Sequence, residues 1–265
     1  MISRPIRRLM SQIPMLILID FDQTITLHDT IGALGQFGVS QTHNPKPWSY
    51  FVDSYLKQYR QHRDGLSKPA DFKGFLRQLD SYRPIEQASL ARITQHNVFQ
   101  GIPRQDFIQQ GQSLSRTELL PNVMTTLKAY EDNIRIVSLN WSKDWIVGFT
   151  GLKREQIYCN DLSFVNDNCT GEIVPHILTT GDKQRVIQNS IMTGEKIIYI
   201  GDSLGDIQPL VESNIGIIIG KDTSLLESLN HFGYSVQDDI TQPSHLYRVD
   251  HWDQIKTILD THNKI

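Results

Sequence analysis

The sequence predicts an α/β fold: a doubly wound parallel sheet, Rossmann-like, with a small all-helical unit inserted after the first core strand. Three features predict it. From about Pro121 onward, short apolar runs alternate with helical stripes, as expected for a parallel sheet with helices on both faces. Between Leu27 and Ser115 there are helical stripes but no convincing strand. One apolar run, Leu16-Ile17-Leu18-Ile19, stands alone ahead of that stretch and ends in Asp20-Phe21-Asp22-Gln23-Thr24. The expected division is therefore a core of residues 1–26 and 116–265 and a helical cap of residues 27–115.

The elements follow in order. Leu16 to Ile19 is a buried-strand run. Trp48, Phe51, Val52, Tyr55, Leu56 and Tyr59 recur at helical steps, and Asp64-Gly65 and Lys68-Pro69 stop that helix. Phe72, Phe75, Leu76 and Leu79 form a second stripe, Ile85, Leu90 and Ile93 a third, and Phe107 to Leu114 a fourth. Pro121 suits the first turn of a helix carrying Val123, Leu127 and Tyr130. Ile134 to Val137 is a strand, and Ser142 is the N-cap of a helix through Trp145, Ile146 and Phe149. Ile157 to Cys159 is another strand. Leu162 to Val165 and Cys169 to Val174 bracket Asn166-Asp167-Asn168 as a hairpin. A helix opens at Gly181-Asp182-Lys183, and strands follow at Lys196 to Ile200, Ile215 to Ile219 and Leu246 to Val249. Helices through Pro209 and Val211 and through Leu225 and Leu226 separate those strands, and Asp250 caps a last helix with Trp252, Ile255 and Ile258.

Composition excludes several classes. The chain has 265 residues, a net charge of −3 and 21% charged residues of mixed sign. Nothing resembles a basic nucleic-acid footprint or a polybasic membrane face, and no apolar run approaches the length that spans a bilayer. Two cysteines, Cys159 and Cys169, are too few for a disulfide framework. They are expected as free thiols in a reducing compartment, which makes the cytoplasm the expected location. Arg4, Arg7 and Arg8 give the first eleven residues a faint likeness to a transit peptide, but that stretch is very short.

The chemistry gathers at strand ends. Residues two apart in an extended chain point the same way, so Asp20 and Asp22 face one spot while Phe21 turns into the core. Two adjacent carboxylates repel unless a cation or a shared proton lies between them. Asp20 and Asp22 end the first strand, Ser138 the second, and Asp202 the strand before Gly201-Asp202-Ser203-Leu204-Gly205-Asp206, while Lys183 starts a helix. In an open parallel sheet these ends share one edge, where ligands bind. The residue types suit phosphoryl transfer. An aspartate attacks phosphorus, carboxylates hold a hard cation such as Mg²⁺, and a lysine and a hydroxyl stabilise the phosphoryl oxygens. Lys153 is a weaker rival for the lysine role.

The sequence resembles the haloacid dehalogenase superfamily of aspartate-nucleophile hydrolases across the core, about two thirds of the chain. DFDQT matches its first motif, Ser138 the second, Lys183 the third and GDSLGD the fourth. The resemblance implies Asp20 as nucleophile and metal ligand, and Asp22 as general acid and then general base, binding Mg²⁺ through its carbonyl. It implies Ser138 and Lys183 on the phosphate, Asp202 completing the metal site, and Asp206 in the second layer or on a metal-bound water. An acid at Asp22 favours phosphatase over carbon–halogen cleavage. The helical insert, LLPNVMTTLK and the hairpin ending CTGEI resemble the phosphoserine-phosphatase branch. DFDQTIT and SLNWS are closer to small-metabolite members, such as thiamine-phosphate phosphatase domains and methylthiopentenyl-phosphate phosphatases. Leu139-Asn140 replaces the usual glycine pair after Ser138, a departure from phosphoserine phosphatase that points away from a serine-phosphate substrate, and Asn140 is counted among the expected substrate-binding residues. The expected function is a Mg²⁺-dependent phosphomonoesterase acting on a small phosphorylated metabolite through an aspartyl-phosphate. Asp29 is expected to meet a cation on the substrate, or to cap a helix at Thr30. Trp141 is expected to stack on an aromatic leaving group, or to lie in the core. A phosphotransferase and a silent binding protein remain as alternatives.

Overall fold

The computed structural model describes residues 14–191 and 194–263. The basic stretch with Arg4, Arg7 and Arg8 lies outside the described residues. Strand β1 (Met15–Ile19) is followed by five helices: α1 (Ile31–Gln41), α2 (Trp48–Asp64), α3 (Phe72–Asp80), α4 (Arg83–Gln95) and α5 (Arg104–Glu118). The chain then runs through α6 (Val123–Ala129), β2 (Ile134–Val137), α7 (Lys143–Thr150) and β3 (Ile157–Tyr158). Strands β4 (Asp161–Val165) and β5 (Asn168–Val174) form an antiparallel hairpin. The rest alternates: α8 (Thr180–Ile191), β6 (Lys196–Gly201), α9 (Ile207–Glu212), β7 (Ile215–Ile219), α10 (Thr223–His231), β8 (Leu246–Val249) and α11 (Trp252–Asn263).

Six strands form one parallel sheet in the order β3-β2-β1-β6-β7-β8. The chain winds outward from β1 to β3, then returns to the other side of β1 and winds outward again. The reversal therefore lies at β1, and the crevice at the carboxyl ends of such a sheet is its ligand site. Every residue of β1 is buried because both faces are covered. Leu16 and Leu18 face Ile187, Ile207, Leu210, Leu225 and Leu229 of α8, α9 and α10. Ile17 and Ile19 join the larger cluster with Phe107, Trp145, Phe149, Trp252 and Ile255 of α5, α7 and α11. This alternation is the pleat of the strand expressed as two cores.

The helical stretch between β1 and β2 is anchored to the sheet at several points. Phe72 and Phe75 of α3 pack edge-on and tilted against Phe232 beyond α10, with ring centroids 5.4 and 5.2 Å apart. Arg104 at the start of α5 donates to Asp144 of α7 at 2.9 Å. The α3–α4 turn reaches the helix that carries Lys183: Arg83 donates to both oxygens of buried Asp182 at 2.8 Å, and Gly181 N–H donates to Asp80 at 3.2 Å. Bidentate arginine–carboxylate pairing fixes orientation as well as distance.

Two local expectations are corrected, and one helix, α1, is added to those read from the sequence. Helix α1 has no apolar stripe in the sequence because Gly32, Gly35 and Gly38 interrupt it; Gly35 is required there because a Cβ would overlap the Trp48 ring. Pro121 precedes α6 rather than sitting in its first turn, and Asn122 in the left-handed region (φ 65°) starts the helix. Asp250 does not cap α11; its carboxylate accepts from Arg248 at 2.9 Å, while the Gln254 side chain accepts the N–H groups of Asp250 and His251. Ser142 caps α7 as expected, accepting from Trp145 N–H at 3.2 Å.

Candidate active site

The carboxyl ends of β1, β2 and β6 and the first turn of α8 converge on one cavity of about 460 Å³. Asp20, Asp22, Asp29, Ser138, Trp141, Lys183 and Asp202 are among the residues that line it. Asp20 N–H completes the sheet by donating to Ile200 at 2.9 Å, which fixes the strand end next to β6. The chain then turns sharply, with Gln23 in the left-handed region at φ 59°, a strained backbone for a residue of this kind. The turn brings Thr24 Oγ1 to Asp202 Oδ1 at 3.2 Å.

Lys183 is the centre of charge. Its Nζ donates to Asp20 Oδ1 at 2.8 Å and to Asp206 Oδ1 at 2.7 Å, and its side chain is 2% exposed. Burial alone would lower the ammonium, but Asp20 and Asp206 outweigh it and hold Lys183 above its ordinary value. Asp206 is fully buried and its carboxylate is saturated. Besides Lys183, Tyr199 donates to Oδ1 at 2.6 Å, and Asp202 N–H and Ser203 N–H and Oγ–H donate to Oδ2. Gly201 permits this, because a Cβ there would strike the Asp206 side chain.

Asp22 sits in a second network. Thr30 donates from its N–H at 2.7 Å and its hydroxyl at 2.6 Å to Oδ1, and Asn140 Nδ2 donates to Oδ2 at 3.1 Å. Thr30 Oγ1 in turn accepts from Asn140 Nδ2 and from Trp145 Nε1. Asn140 is oriented by Trp141 and Ser142 N–H groups donating to its own oxygen. Burial, with the charge of Asp29, pushes the Asp22 carboxyl up to about 6 despite these hydrogen bonds.

The donor set fits a hard divalent cation. Asp20, Asp202 and Asp206 each place an oxygen within 4.8 Å of the others. Among the described residues, Asp20 Oδ2 and Asp202 Oδ2 carry no protein hydrogen bond, whereas both oxygens of Asp206 do. Burial and the Asp206 charge raise Asp20 well above the usual carboxylate range and push Asp202 up to about 7. A cation between the two free oxygens would relieve that repulsion.

The sequence-derived residues thus separate into layers. Asp206 lies behind Lys183. Asn140 is fully buried and lies behind Asp22 rather than in the cavity wall, because its amide is consumed by Asp22 and Thr30. Asp29 lines the cavity and also accepts from Ile31 N–H at 2.8 Å. Trp141 is 8% exposed and lies edge-on to Trp48 with centroids 6.1 Å apart, so it serves wall and core together. Lys153 is outside the cavity. Thr30, Tyr199, Trp48, Tyr55 and Glu86 were not legible as site residues. Only Tyr199 carried a signal, a polar group within the apolar run KIIYIG. Tyr199→Phe should destabilise by about 1–2 kcal/mol, the cost of one lost donor to a buried carboxylate. Thermal melts check this.

No family model matches the sequence. The chain is 27% identical over 240 residues to a CTO1 family protein of Schizosaccharomyces pombe, covering 82% of this chain and 86% of that protein. It is 24% identical over 268 residues to the bifunctional TH2 protein, mitochondrial, of Arabidopsis thaliana, covering 87% of this chain and 43% of that protein. The chain therefore spans less than half of that relative. Among solved structures, a substrate-bound phosphoserine phosphatase superposes with a TM-score of 0.55 at 14% identity, covering 93% of this chain and 99% of the other. The fold is that of the haloacid dehalogenase superfamily. In this chain the helices between β1 and β2 line the cavity together with the strand ends. No helix among the described residues is long and apolar enough to cross a membrane.

Proposed function

We propose that the chain is a Mg²⁺-dependent phosphomonoesterase that hydrolyses a small phosphorylated metabolite through an aspartyl-phosphate on Asp20. The observation that carries this reading is the buried Lys183 ammonium held between Asp20 and Asp206, with Asp202 beside it, at the strand reversal. The Asp20 carboxylate attacks phosphorus and the bond to the leaving oxygen breaks. Asp22 gives that oxygen its proton, a task suited to a carboxyl pushed up to about 6. Asp22 then takes a proton from water as the water attacks phosphorus, and the bond from phosphorus to Asp20 breaks. Ser138 and Lys183 hold the phosphoryl oxygens, and Thr30 and Asn140 orient Asp22. Asp20, Asp202 and the Asp22 carbonyl would hold Mg²⁺, which would supply charge stabilisation for the phosphoryl group, and Asp206 anchors Lys183 and the Asp202 loop. Helices within residues 27–115 act as the lid that excludes water and contacts the leaving group.

Thiamine monophosphate, or a related vitamin or sugar phosphate, is the specific substrate reading. Aromatic walls at Trp48 and Trp141 and the acid Asp29 support a flat leaving group with positive charge. The two buried, unbridged thiols accord with a reducing compartment, the cytoplasm. Phosphate release from a panel of phosphomonoesters, with Mg²⁺ or with EDTA, tests the reading; no metal-dependent release from folded protein would overturn it.

Metal binding has its own readout. Asp202 is pushed up to about 7. A carboxyl raised in the folded state costs stability as pH rises through that range, because the folded state binds more protons than the unfolded one. Mg²⁺ should therefore raise Tm clearly at pH 8. Asp202→Asn should melt no lower than wild type in EDTA and gain little on adding Mg²⁺. Thermal melts in both conditions check this.

A further inference from the structure

We propose that Glu86, with Tyr55 beside it, forms a recognition site for a positively charged group on a flat leaving group. This rests on the phosphomonoesterase reading above and names what the outer half of the same cavity selects.

Glu86 lies in the first turn of α4 and lines the cavity opposite α2. Tyr55 of α2 donates to its Oε1 at 2.8 Å, and among the described residues Oε2 has no hydrogen bond. Trp48 and Phe51, both in the cavity lining, stack with ring centroids 5.7 Å apart. Lys183 is the sole positively charged side chain in the cavity lining among the described residues, and it is committed to Asp20 and Asp206. Besides Asp20, Asp22 and Asp202, the lining holds two further acids, Glu86 and Asp29, and no other cation among the described residues.

A half-buried carboxylate in an aromatic wall without a counterion is unfavourable. Burial indeed raises Glu86 above the usual carboxylate range, against the Tyr55 hydrogen bond, which lowers it. A substrate cation would supply the missing partner, and the faces of Trp48 and Trp141 would add to its attraction. An anionic leaving group would be repelled by both acids. The chemical class is thus the monophosphate ester of a flat, cationic or protonated nitrogen-heterocyclic alcohol. The competing account is structural: Glu86 complements the amino end of α4 and staples α2 to α4 through Tyr55. Glu86→Gln separates the two, because the amide oxygen still accepts from Tyr55 while the charge is gone.

The experiment compares kcat/KM for thiamine monophosphate with that for p-nitrophenyl phosphate in wild type and E86Q. The expected result is a fall of at least tenfold in that ratio, carried mainly by KM, with Tm within a few degrees of wild type. An unchanged ratio would overturn the proposal. A second measurement does not depend on turnover: calorimetric titration of thiamine itself into wild type and E86Q. Binding that weakens at least tenfold in E86Q supports the site, whereas equal affinity, or no binding to either protein, overturns it. Absence of turnover on both esters together with charge-dependent thiamine binding would remove the phosphomonoesterase reading and leave the Glu86 site standing.

Discussion

Asp20→Asn should abolish phosphate release, with a loss of at least about 10⁴-fold in kcat, because an amide oxygen does not form the covalent intermediate and no other group is placed to do so. The substitution is close to isosteric, and Lys183 keeps Asp206 as its partner, so the cavity survives. Asp20 is held well above the usual carboxylate range by burial and by Asp206. Its charge therefore costs stability at neutral pH, and neutralising it should leave the melting temperature in EDTA unchanged or higher. Acid-quenched mass spectrometry during turnover should show a phosphate adduct on wild type and none on Asp20→Asn. An active Asp20→Asn variant would remove Asp20 as nucleophile, and an adduct mapped to another residue would move the chemistry there.

Lys183→Met should combine a loss of at least about 10³-fold in kcat with a large loss of stability. One preorganised charge on the phosphoryl group accounts for a loss on the order of 10²–10³, and disordering of Asp20 adds to it. Removing one partner of a buried ion pair costs about 3–5 kcal/mol, because the remaining charges are left without compensation. Asp20 and Asp206 would then face each other with no cation between them. The Asp20 carboxyl, already held high, would rise further, so the variant binds more protons folded than unfolded over a wider range. Stability then falls as pH rises, and the Tm deficit should be larger at pH 8 than at pH 5. Asp20→Asn in the Lys183→Met background should recover part of the lost Tm. Melts across pH on the two single variants and the double variant check this, and a pH-independent deficit would show that Lys183 acts through packing alone.

Both predictions concern residues that can be read directly from the chain. Asp20, Asp22 and Asp202 announce themselves because strand ends of a parallel sheet share an edge, and an apolar run followed by paired acids marks such an end. The strand positions were legible for the same reason: β1 and β7 are apolar runs buried throughout, and β2, β6 and β8 are apolar runs broken by a single half-buried basic residue each. Helix α1 was not, because its three glycines erase the stripe while a neighbouring ring, Trp48, demands one of them. Asn140 stood beside Ser138 in sequence and was placed on the substrate; in the fold its amide turns inward to Asp22 and Thr30.

The sequence by itself determined the sheet, the helical insertion and the inner carboxylate–lysine set, since these depend on periodicity and on residues fixed at strand ends. Tertiary structure alone decided which acid lies free and which is saturated, and that Thr30 and Asn140 hold Asp22. It also decided that Arg83 ties the α3–α4 turn to the helix of Lys183, and that Tyr55 and Glu86 form the outer wall. The Tyr55–Glu86, Arg83–Asp182 and Asn140–Asp22 contacts join residues 31, 99 and 118 positions apart. Hydrogen bonds and charge compensation depend on distance in space, and nothing in local spacing encodes it.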